Sequence, residues 1–291
     1  MSSRANIVIY SKDRAMQLKA LLDSLNRFLV NQSDKQNITV IYKASNAEYQ
    51  KGYERLSVLC GQEYPKCKLV SEIDFRNDTM AAIDASNQYT MFLVDDIMFY
   101  RPWSFDDKPF QLLNQFPEGV LAVSLRLGSN TSYCYPLSRQ QTIPSFYKEC
   151  AWKWIEADGD FAYPMSLDGN VFLTKKIIEI LSYIANDKFI HPNVLEGSLN
   201  DFAQARKHVG TLAQIMTCYP ESSRLINNPC NRVQDLVQNK TESSYDAEKL
   251  NKMFIDGNCI DVESTTDLIR DSNQVNAAHY PTEIIIHGYR S

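Results

Sequence analysis

The sequence contains few of the features that mark a secreted, zinc-binding or membrane-spanning protein. Its seven cysteines are scattered and include no C-x-x-C pair, and its four histidines are scattered too, which argues against a disulfide framework and a zinc site. No apolar run approaches the length of a membrane span, and the first apolar stretch, "IVIY", is too short for a secretion signal. We therefore expect a cytoplasmic protein without a transmembrane segment, although it could dock peripherally on a membrane.

The chain also lacks blocks of like charge, internal repeats and linkers rich in Pro, Gly or Ser. Its net charge of -5 argues against a general nucleic-acid binder. The composition, 44% apolar and 22% charged, is that of an ordinary globular protein. A chain of 291 residues can bury a substantial core, and we expect residues 1–291 to form one domain.

Short β-branched runs alternate with segments of helical periodicity along the first part of the chain. Strands are predicted at "NIVIY", "NITVIYKA", "CKLVSE" and "YTMFLVDD", and helices at "AMQLKALLDSLNRFL", "AEYQKGYERLSVLC" and "NDTMAAIDASNQ". Further on, "GVLAVSLRLG" predicts a strand, "GNVFLTKKIIEILSYIA" a strand followed by a helix, and "LEGSLNDFAQARKHV" a helix. This alternation predicts an α/β fold with a doubly wound, mostly parallel sheet flanked by helices.

Two adjacent carboxylates interrupt the otherwise apolar stretch "FLVDDIMF". Asp95 and Asp96 follow a predicted buried strand, and ligands bind beyond the carboxyl ends of strands in such sheets. Carboxylate oxygens suit Mg²⁺ or Mn²⁺, which commonly complete their coordination with substrate phosphates. The alternative is a solvated turn, where Asp is common.

Two segments in this order carry a family resemblance. "IVIYSKDRAMQLKALLDSL", followed later by "YTMFLVDDI", resembles nucleotide-sugar glycosyltransferases of the GT-A type, and more narrowly their family-2-like bacterial branch. The second half is similar more loosely, through "SLRLG", "YPMSLDGNVF", "NVLE" and "NNPCNRVQ". The resemblance implies that residues 1–100 bind the nucleotide-sugar and that residues 101–291 form the acceptor side and a closing segment.

The resemblance assigns donor-binding roles to the first strand-to-helix loop and to the acidic pair. The loop residues expected beside the nucleotide or its phosphates are Ser11, Asp13 and Arg14. Asp96 is the expected metal ligand, and Asp95 would face the ribose or a metal-bound water. The segment departs from the usual D-x-D pattern, because Val94 stands in the place of the first Asp. The alternative for the loop is that Ser11 or Asp13 only caps the following helix.

A second set of residues is expected to hold the diphosphate. Arg126 in "SLRLG" and Arg232 in "NNPCNRVQD" can bind phosphate oxygens, and Asn228 can donate hydrogen bonds from the same late loop. The alternative is that both arginines form only surface salt bridges. In the family this loop sometimes supplies a histidine to the metal. Cys230 or an Asn would have to serve here, and we expect the four histidines to be structural.

Three carboxylates are candidates for chemistry at the acceptor. Glu196 in "HPNVLEGSLND" falls where the resembled family carries its catalytic base, which removes the proton of the attacking hydroxyl, and Asp201 is the alternative. Asp168, next to Gly169, is expected to reach an acceptor hydroxyl or the donor sugar. The structural alternatives are that Glu196 helps to start a helix and that Asp168–Gly169 is only a turn.

The predicted function is transfer of a sugar from a nucleotide-diphosphate donor, UDP-sugar being favoured, to a hydroxyl of a glycan, a lipid-linked acceptor or a protein. Metal-assisted departure of the diphosphate and inversion at the anomeric carbon are implied by the resemblance alone. A sugar-phosphate nucleotidyltransferase is the alternative enzyme, although "YSKDRAMQ" lacks the glycine-rich loop of that class. A non-catalytic nucleotide-sugar-binding module is the third hypothesis.

Overall fold

The structure is a computed structural model that describes residues 4–30, 36–64, 66–229, 246–271 and 274–288. Arg232, with the rest of the "NNPCNRVQD" segment from residue 230 onward, lies outside the described residues. The predicted role of Arg232 therefore stays a prediction.

The helices and strands are numbered in chain order. The strands are β1 (Ala5–Lys12), β2 (Asn37–Lys43), β3 (Cys67–Ser71), β4 (Tyr89–Val94), β5 (Ile97–Phe99), β6 (Val120–Ser124), β7 (Tyr133–Cys134), β8 (Arg139–Gln140), β9 (Ala151–Lys153), β10 (Asn170–Leu173), β11 (Ile215–Cys218), β12 (Leu225–Asn227), β13 (Asn258–Ile260) and β14 (Ile286–Gly288). The helices are α1 (Ala15–Phe28), α2 (Ala47–Glu63), α3 (Phe75–Ala81), α4 (Lys108–Gln115), α5 (Thr174–Ser182), α6 (Pro192–Arg206), α7 (Ala247–Ile255) and α8 (Val262–Asp271).

An 8-stranded sheet organises the fold, in the order β3-β2-β1-β4-β10-β6-β11-β9. The neighbours β3, β2, β1 and β4 are parallel, and β6 and β11 run in the same direction. Strands β10 and β9 run the opposite way. The predicted α/β class with a mostly parallel sheet is confirmed, and strands from both halves of the sequence share the sheet.

Strand β1 is buried on both faces, which explains its continuous apolar run. Ile7 and Ile9 belong to the hydrophobic core that contains α1, whereas Val8 and Tyr10 belong to the core on the opposite face. Helices therefore cover both sides of the sheet, as the doubly wound prediction requires. Of the helices within the described residues, none is long and apolar enough to cross a membrane.

Helix α3 differs most from the sequence prediction. A helix was predicted over "NDTMAAIDASNQ", but α3 starts earlier, at Phe75, and ends at Ala81. The side chain of Asp74 caps its start by accepting from the backbone N–H of Asn77 at 2.9 Å. Beyond its end, Asp84 accepts from both the N–H and the hydroxyl of Ser86. This local turn competes with continued helix.

The reversed strand β10 determines where the site lies. An antiparallel strand begins at the edge of the sheet where its parallel neighbours end, so the residues before β10 meet those after β4 and β6. Gly169 precedes β10 with a φ of +87°, and a Cβ at this position would lie 2.4 Å from Leu225. Only glycine fits this turn without strain.

Candidate active site

The acidic pair lies at the carboxyl edge of the sheet, beside the loop that follows β1. The backbone N–H of Asp95 donates to the carbonyl of Tyr10 at 3.1 Å, which continues the pairing of β4 with β1. In return, the backbone N–H of Lys12 donates to Oδ2 of Asp95 at 2.9 Å. Asp95 and Asp96 do form a turn, but Asp95 is only 4% exposed, so the alternative of a solvated turn is wrong.

Arg14 bridges the two carboxylates. Its Nη1 lies 3.1 Å from Oδ1 of Asp95 and 2.8 Å from Oδ2 of Asp96. The remaining oxygen of Asp96, Oδ1, accepts from Nδ2 of Asn227 at 2.9 Å. Each of the four carboxylate oxygens therefore faces an N–H donor of the protein, and the guanidinium offsets part of the repulsion between the two acids.

Burial is the main influence on the protonation of this pair. It raises the pKa of Asp95 to about 6, while Arg14 acts in the opposite direction. Burial also raises the pKa of Asp96, again opposed by Arg14 and reinforced by the negative charge of Asp168. Burial therefore favours the protonated form of the pair, and Arg14 favours the ionised form.

The described residues do not form a prearranged metal site. Among them, no three His, Cys, Asp or Glu side chains lie close enough to share an ion. Arg14 also contacts an oxygen of each acid on the side where the two carboxylates converge. A hard cation prefers oxygen ligands and tolerates a guanidinium poorly in the same position, so this donor set does not fit Mg²⁺ or Mn²⁺ as arranged. The predicted metal stays a prediction.

The loop residues Ser11 and Asp13 are brought to the same edge, but their side chains secure the loop. The hydroxyl of Ser11 lies 2.7 Å from that of Tyr53. Asp13 has a φ of +59°, and its carboxylate accepts from the N–H and hydroxyl of Ser45 at 2.7 and 2.5 Å. Neither residue caps α1, which lacks a side-chain cap and begins after Arg14. The helix-capping alternative is therefore wrong.

A second group of charges lies next to the acidic pair. Asp168, in the turn before β10, has its Oδ2 3.2 Å from Nε2 of His279. Although burial opposes it, the hydrogen bond and charge of His279 hold the pKa of Asp168 below its usual range. The same pairing raises the pKa of His279 against the effect of burial. Asn227 hydrogen-bonds to Asp96 and to Asp168, so it connects the two groups.

Glu196 contacts the same turn from helix α6. Its Oε1 accepts from the backbone N–H of Leu167 at 3.1 Å. Burial and the negative charge of Asp168 raise the pKa of Glu196 to about 7, although Arg126 acts in the opposite direction. The helix begins at Pro192, so Glu196 lies inside α6, and the alternative that it starts the helix is wrong.

Asp201 lies on a different face of α6. It is five positions after Glu196, which places its side chain about 140° around the helix axis. Asp201 is exposed, whereas Glu196 is half-buried against the turn that carries Asp168. The structure therefore brings Glu196, and not Asp201, to the other candidate residues.

Arg126 is a buried charge rather than a surface one. It is 2% exposed and forms an ion pair with Asp160, which is itself buried. The surface-salt-bridge alternative is therefore wrong for this arginine. The charge of Arg126 also lowers the pKa values of Asp168 and Glu196, so it favours the ionised form of both carboxylates.

Asn228 joins the site to the carboxyl-terminal part of the chain. Its side chain exchanges two hydrogen bonds with the backbone of Thr282, at 3.1 and 3.2 Å. Its backbone N–H donates to the carbonyl of Asp96 at 2.7 Å. Asn228 therefore connects Thr282 to the acidic edge, and the expected closing role of this late part of the chain stays a prediction.

Several residues at the candidate site were not predicted from the sequence. His279 was expected to be structural, yet it pairs with Asp168, and Asn227 and Asp160 were not singled out. "AAHY" and "LINN" carry no spacing signal, because these residues reach the site through long-range pairing. Trp152 and Trp154 are 1% exposed and belong to the core, so they are not available to stack on a sugar.

The fold and site define an α/β protein whose carboxylates, arginines and a histidine collect at one edge of a mostly parallel sheet. No family model matches the chain. In sequence it is 25% identical over 258 residues to the bifunctional glycosyltransferase pgtA of Dictyostelium discoideum, covering 80% of this chain and 33% of that protein. The chain therefore spans about a third of that relative's length. This similarity confirms the predicted resemblance to a glycosyltransferase.

Three solved structures superpose on this one in part. The S. aureus TarS fragment 1-349 superposes with a TM-score of 0.49 at 10% identity, covering 77% of this chain and 59% of that one. Its complex with UDP gives a TM-score of 0.47 at 12% identity, with the same coverage. The bifunctional enzyme WbbM gives 0.38 at 11% identity, covering 77% of this chain and 47% of that one.

Proposed function

We propose that this protein is a glycosyltransferase that moves a sugar from a nucleotide-diphosphate donor, UDP-sugar being favoured, to an acceptor hydroxyl. The homology to a bifunctional glycosyltransferase supports the reaction class. The observation that carries the proposal is Glu196, a half-buried carboxylate with a pKa raised to about 7. A base with a pKa near the working pH combines ready ionisation with strong proton affinity.

The site divides the work between two groups of residues. The edge formed by Ser11, Asp13, Arg14, Asp95 and Asp96 binds the donor, and the amino terminus of α1 adds a partial positive charge there. Glu196 accepts the proton of the acceptor hydroxyl as its oxygen attacks the anomeric carbon, so the product has inverted configuration. Asp168 orients the acceptor or the donor sugar, and Arg126 balances the charge of both carboxylates.

Departure of the diphosphate requires positive charge at the donor edge. Arg14 supplies one positive charge at this edge, and His279, whose pKa is raised by Asp168 against the effect of burial, supplies another when it is protonated. Asp95 and Asp96 are the candidate ligands if Mg²⁺ or Mn²⁺ binds, but their oxygens already face N–H donors.

Product analysis with a panel of nucleotide-sugars tests the proposal. A transferase releases the nucleoside diphosphate when acceptor is present. Without acceptor, it releases the nucleotide slowly by transferring the sugar to water. A sugar-phosphate nucleotidyltransferase instead forms pyrophosphate from a sugar 1-phosphate and a nucleoside triphosphate. A non-catalytic module binds the donor without releasing nucleotide. Either of the last two results would replace the proposed activity.

A further inference from the structure

We infer that Arg14 takes the place that the sequence assigns to a divalent cation, so that the nucleotide-diphosphate donor binds without Mg²⁺ or Mn²⁺. The inference deepens the proposed function and rests on it, because it concerns the same donor edge. The sequence pattern of the acidic pair predicts a metal site, but the oxygens of the pair contact N–H donors of the protein. The inference is based on this difference.

The contacts of the pair already perform the electrostatic work of a bridging cation. Nη1 of Arg14 approaches one oxygen of Asp95 at 3.1 Å and one of Asp96 at 2.8 Å. Lys12 and Asn227 donate to the other two oxygens at 2.9 Å each. A bridging metal ion would have to separate Arg14 from both acids, and breaking a buried ion pair is costly.

The backbone around Arg14 fixes the position of this guanidinium. The residue before it, Asp13, is held in the left-handed region by two hydrogen bonds to Ser45. The backbone N–H of Arg14 donates to the hydroxyl of Tyr53 at 3.2 Å, and its carbonyl accepts from Leu18 in the first turn of α1. The side chain is 11% exposed. The cation is therefore preorganised, as catalytic electrostatics requires.

The charge around the pair is arranged for an anion to approach. Two carboxylates and one guanidinium alone would leave a net negative edge, which repels a diphosphate. The amino terminus of the 14-residue helix α1 points to this edge, and its first turn contains no acidic residue. The positive charge of a protonated His279 is matched by the carboxylate of Asp168, so this pair adds no net negative charge to the edge. Arg14 and the helix terminus therefore offset most of the negative charge of the acidic pair without an ion.

Calorimetric titration of the full chain with UDP, and separately with GDP, tests the inference. Each titration is done once with EDTA and once with MnCl₂. We expect one of the two nucleotides to bind with a Kd that changes by less than about threefold between the buffers. Binding that requires Mn²⁺ would overturn the inference and leave the proposed function standing. Absence of binding in both buffers would overturn both.

Variants then test the role of Arg14 itself. Arg14→Ala should weaken nucleotide binding in EDTA by about tenfold or more, the value of a lost charge-assisted hydrogen bond. Mn²⁺ should restore part of this loss, because the acid pair is then open to a cation. Arg27→Ala, which removes an arginine of the same helix that pairs with Glu263, is the matched control and should bind as the wild type does.

Stability is controlled separately, because Arg14→Ala leaves two buried acids without their cation. The double variant Arg14→Gln with Asp95→Asn lowers that repulsion, and thermal melts show whether each variant is folded. Folded variants that bind nucleotide in EDTA as tightly as the wild type would overturn the role of Arg14. The wild-type titrations in EDTA and in MnCl₂ determine whether a metal is required, independently of how the variants fold or bind.

Discussion

Nε2 of His279 lies 3.2 Å from Oδ2 of Asp168, and this pair joins the carboxyl-terminal segment to the turn before β10. Nδ1 of the same imidazole has no hydrogen-bond partner among the described residues. The backbone of the neighbouring Ala278 also accepts from Asn227 at 2.9 Å. The segment therefore contributes a charged group to the site in addition to covering it.

The first prediction concerns the protonation of His279. Its pKa is raised by the hydrogen bond and charge of Asp168, which outweigh burial. Asp168→Asn should lower the pKa of His279, because burial lowers this pKa and the charge that opposes burial is removed. The measurement is a pH titration of the His279 ring signals by NMR, and unchanged titration in the variant would contradict the pairing.

The sign of the linked stability follows from the same shift. A histidine whose pKa is raised on folding stabilises the protein below its unfolded pKa, and this contribution is lost as pH rises through the folded value. Asp168, whose own pKa is lowered, contributes only while it is ionised. Asp168→Asn should therefore cost most stability between the ordinary pKa values of Asp and His, and less both in strong acid and as pH rises through the folded pKa of His279. Thermal melts of wild type and variant across this pH range measure the difference.

The second prediction separates the two candidate bases. Glu196→Gln should lower the rate of sugar transfer by about 10²–10⁴-fold, the usual value of general base catalysis, while donor affinity stays close to that of the wild type. Asp201→Asn, on an exposed face of the same helix, should transfer at nearly the wild-type rate. A larger loss in Asp201→Asn than in Glu196→Gln would reverse the assignment.

The third prediction is the pH dependence of transfer. Glu196 must be ionised to accept a proton, and its pKa is raised to about 7. The single-turnover rate should therefore rise as pH increases through about 7 and level off above it. Burial of the charged form also means that stability falls as pH rises from the ordinary Glu value toward 7, because the folded state binds the proton more tightly. Glu196→Gln should abolish both trends.

The fourth prediction tests the turn that places Asp168. Gly169→Ala should destabilise the protein by about 1–3 kcal/mol, since a Cβ there meets Leu225 at 2.4 Å and the backbone φ is +87°. Gly197 lies within α6 with no heavy atom within 4 Å of an added Cβ. Gly197→Ala is therefore the matched control, expected to be neutral or stabilising by up to about 1 kcal/mol. Urea melts compare the two, and equal stability losses would contradict the predicted strain.

Local sequence patterns predicted much of the secondary structure. The apolar run of β1 and the helical periodicity after it predicted the first strand and helix to within a few residues, because periodicity reports directly which faces are buried. The reversal of β10 was not predicted. The direction of a strand depends on which distant segments it pairs with. The residues "GNVFL" do not indicate that β10 lies between β4 and β6.

The candidate site was predictable where residues adjoin strand ends. Asp95 and Asp96 were found because two carboxylates interrupt an apolar run. His279 and Asn227 were missed since their approach depends on contacts across the fold, such as the hydrogen bond from Asn227 to Asp96. The contacts of Arg14 with the acidic pair were likewise not predicted, because the sequence identifies the two acids but not the cation that contacts them in the fold.

The most direct test of the central claim is titration of nucleotide-sugars into wild type, Asp96→Asn and Asp187→Asn, the last being an exposed aspartate away from the sheet edge. If the acidic edge is the donor site, wild type and Asp187→Asn bind at least one nucleotide-sugar equally. Asp96→Asn binds it about tenfold or more weakly, because Arg14 loses a carboxylate that holds it in position at that edge. Equal affinity in all three proteins would contradict the claim.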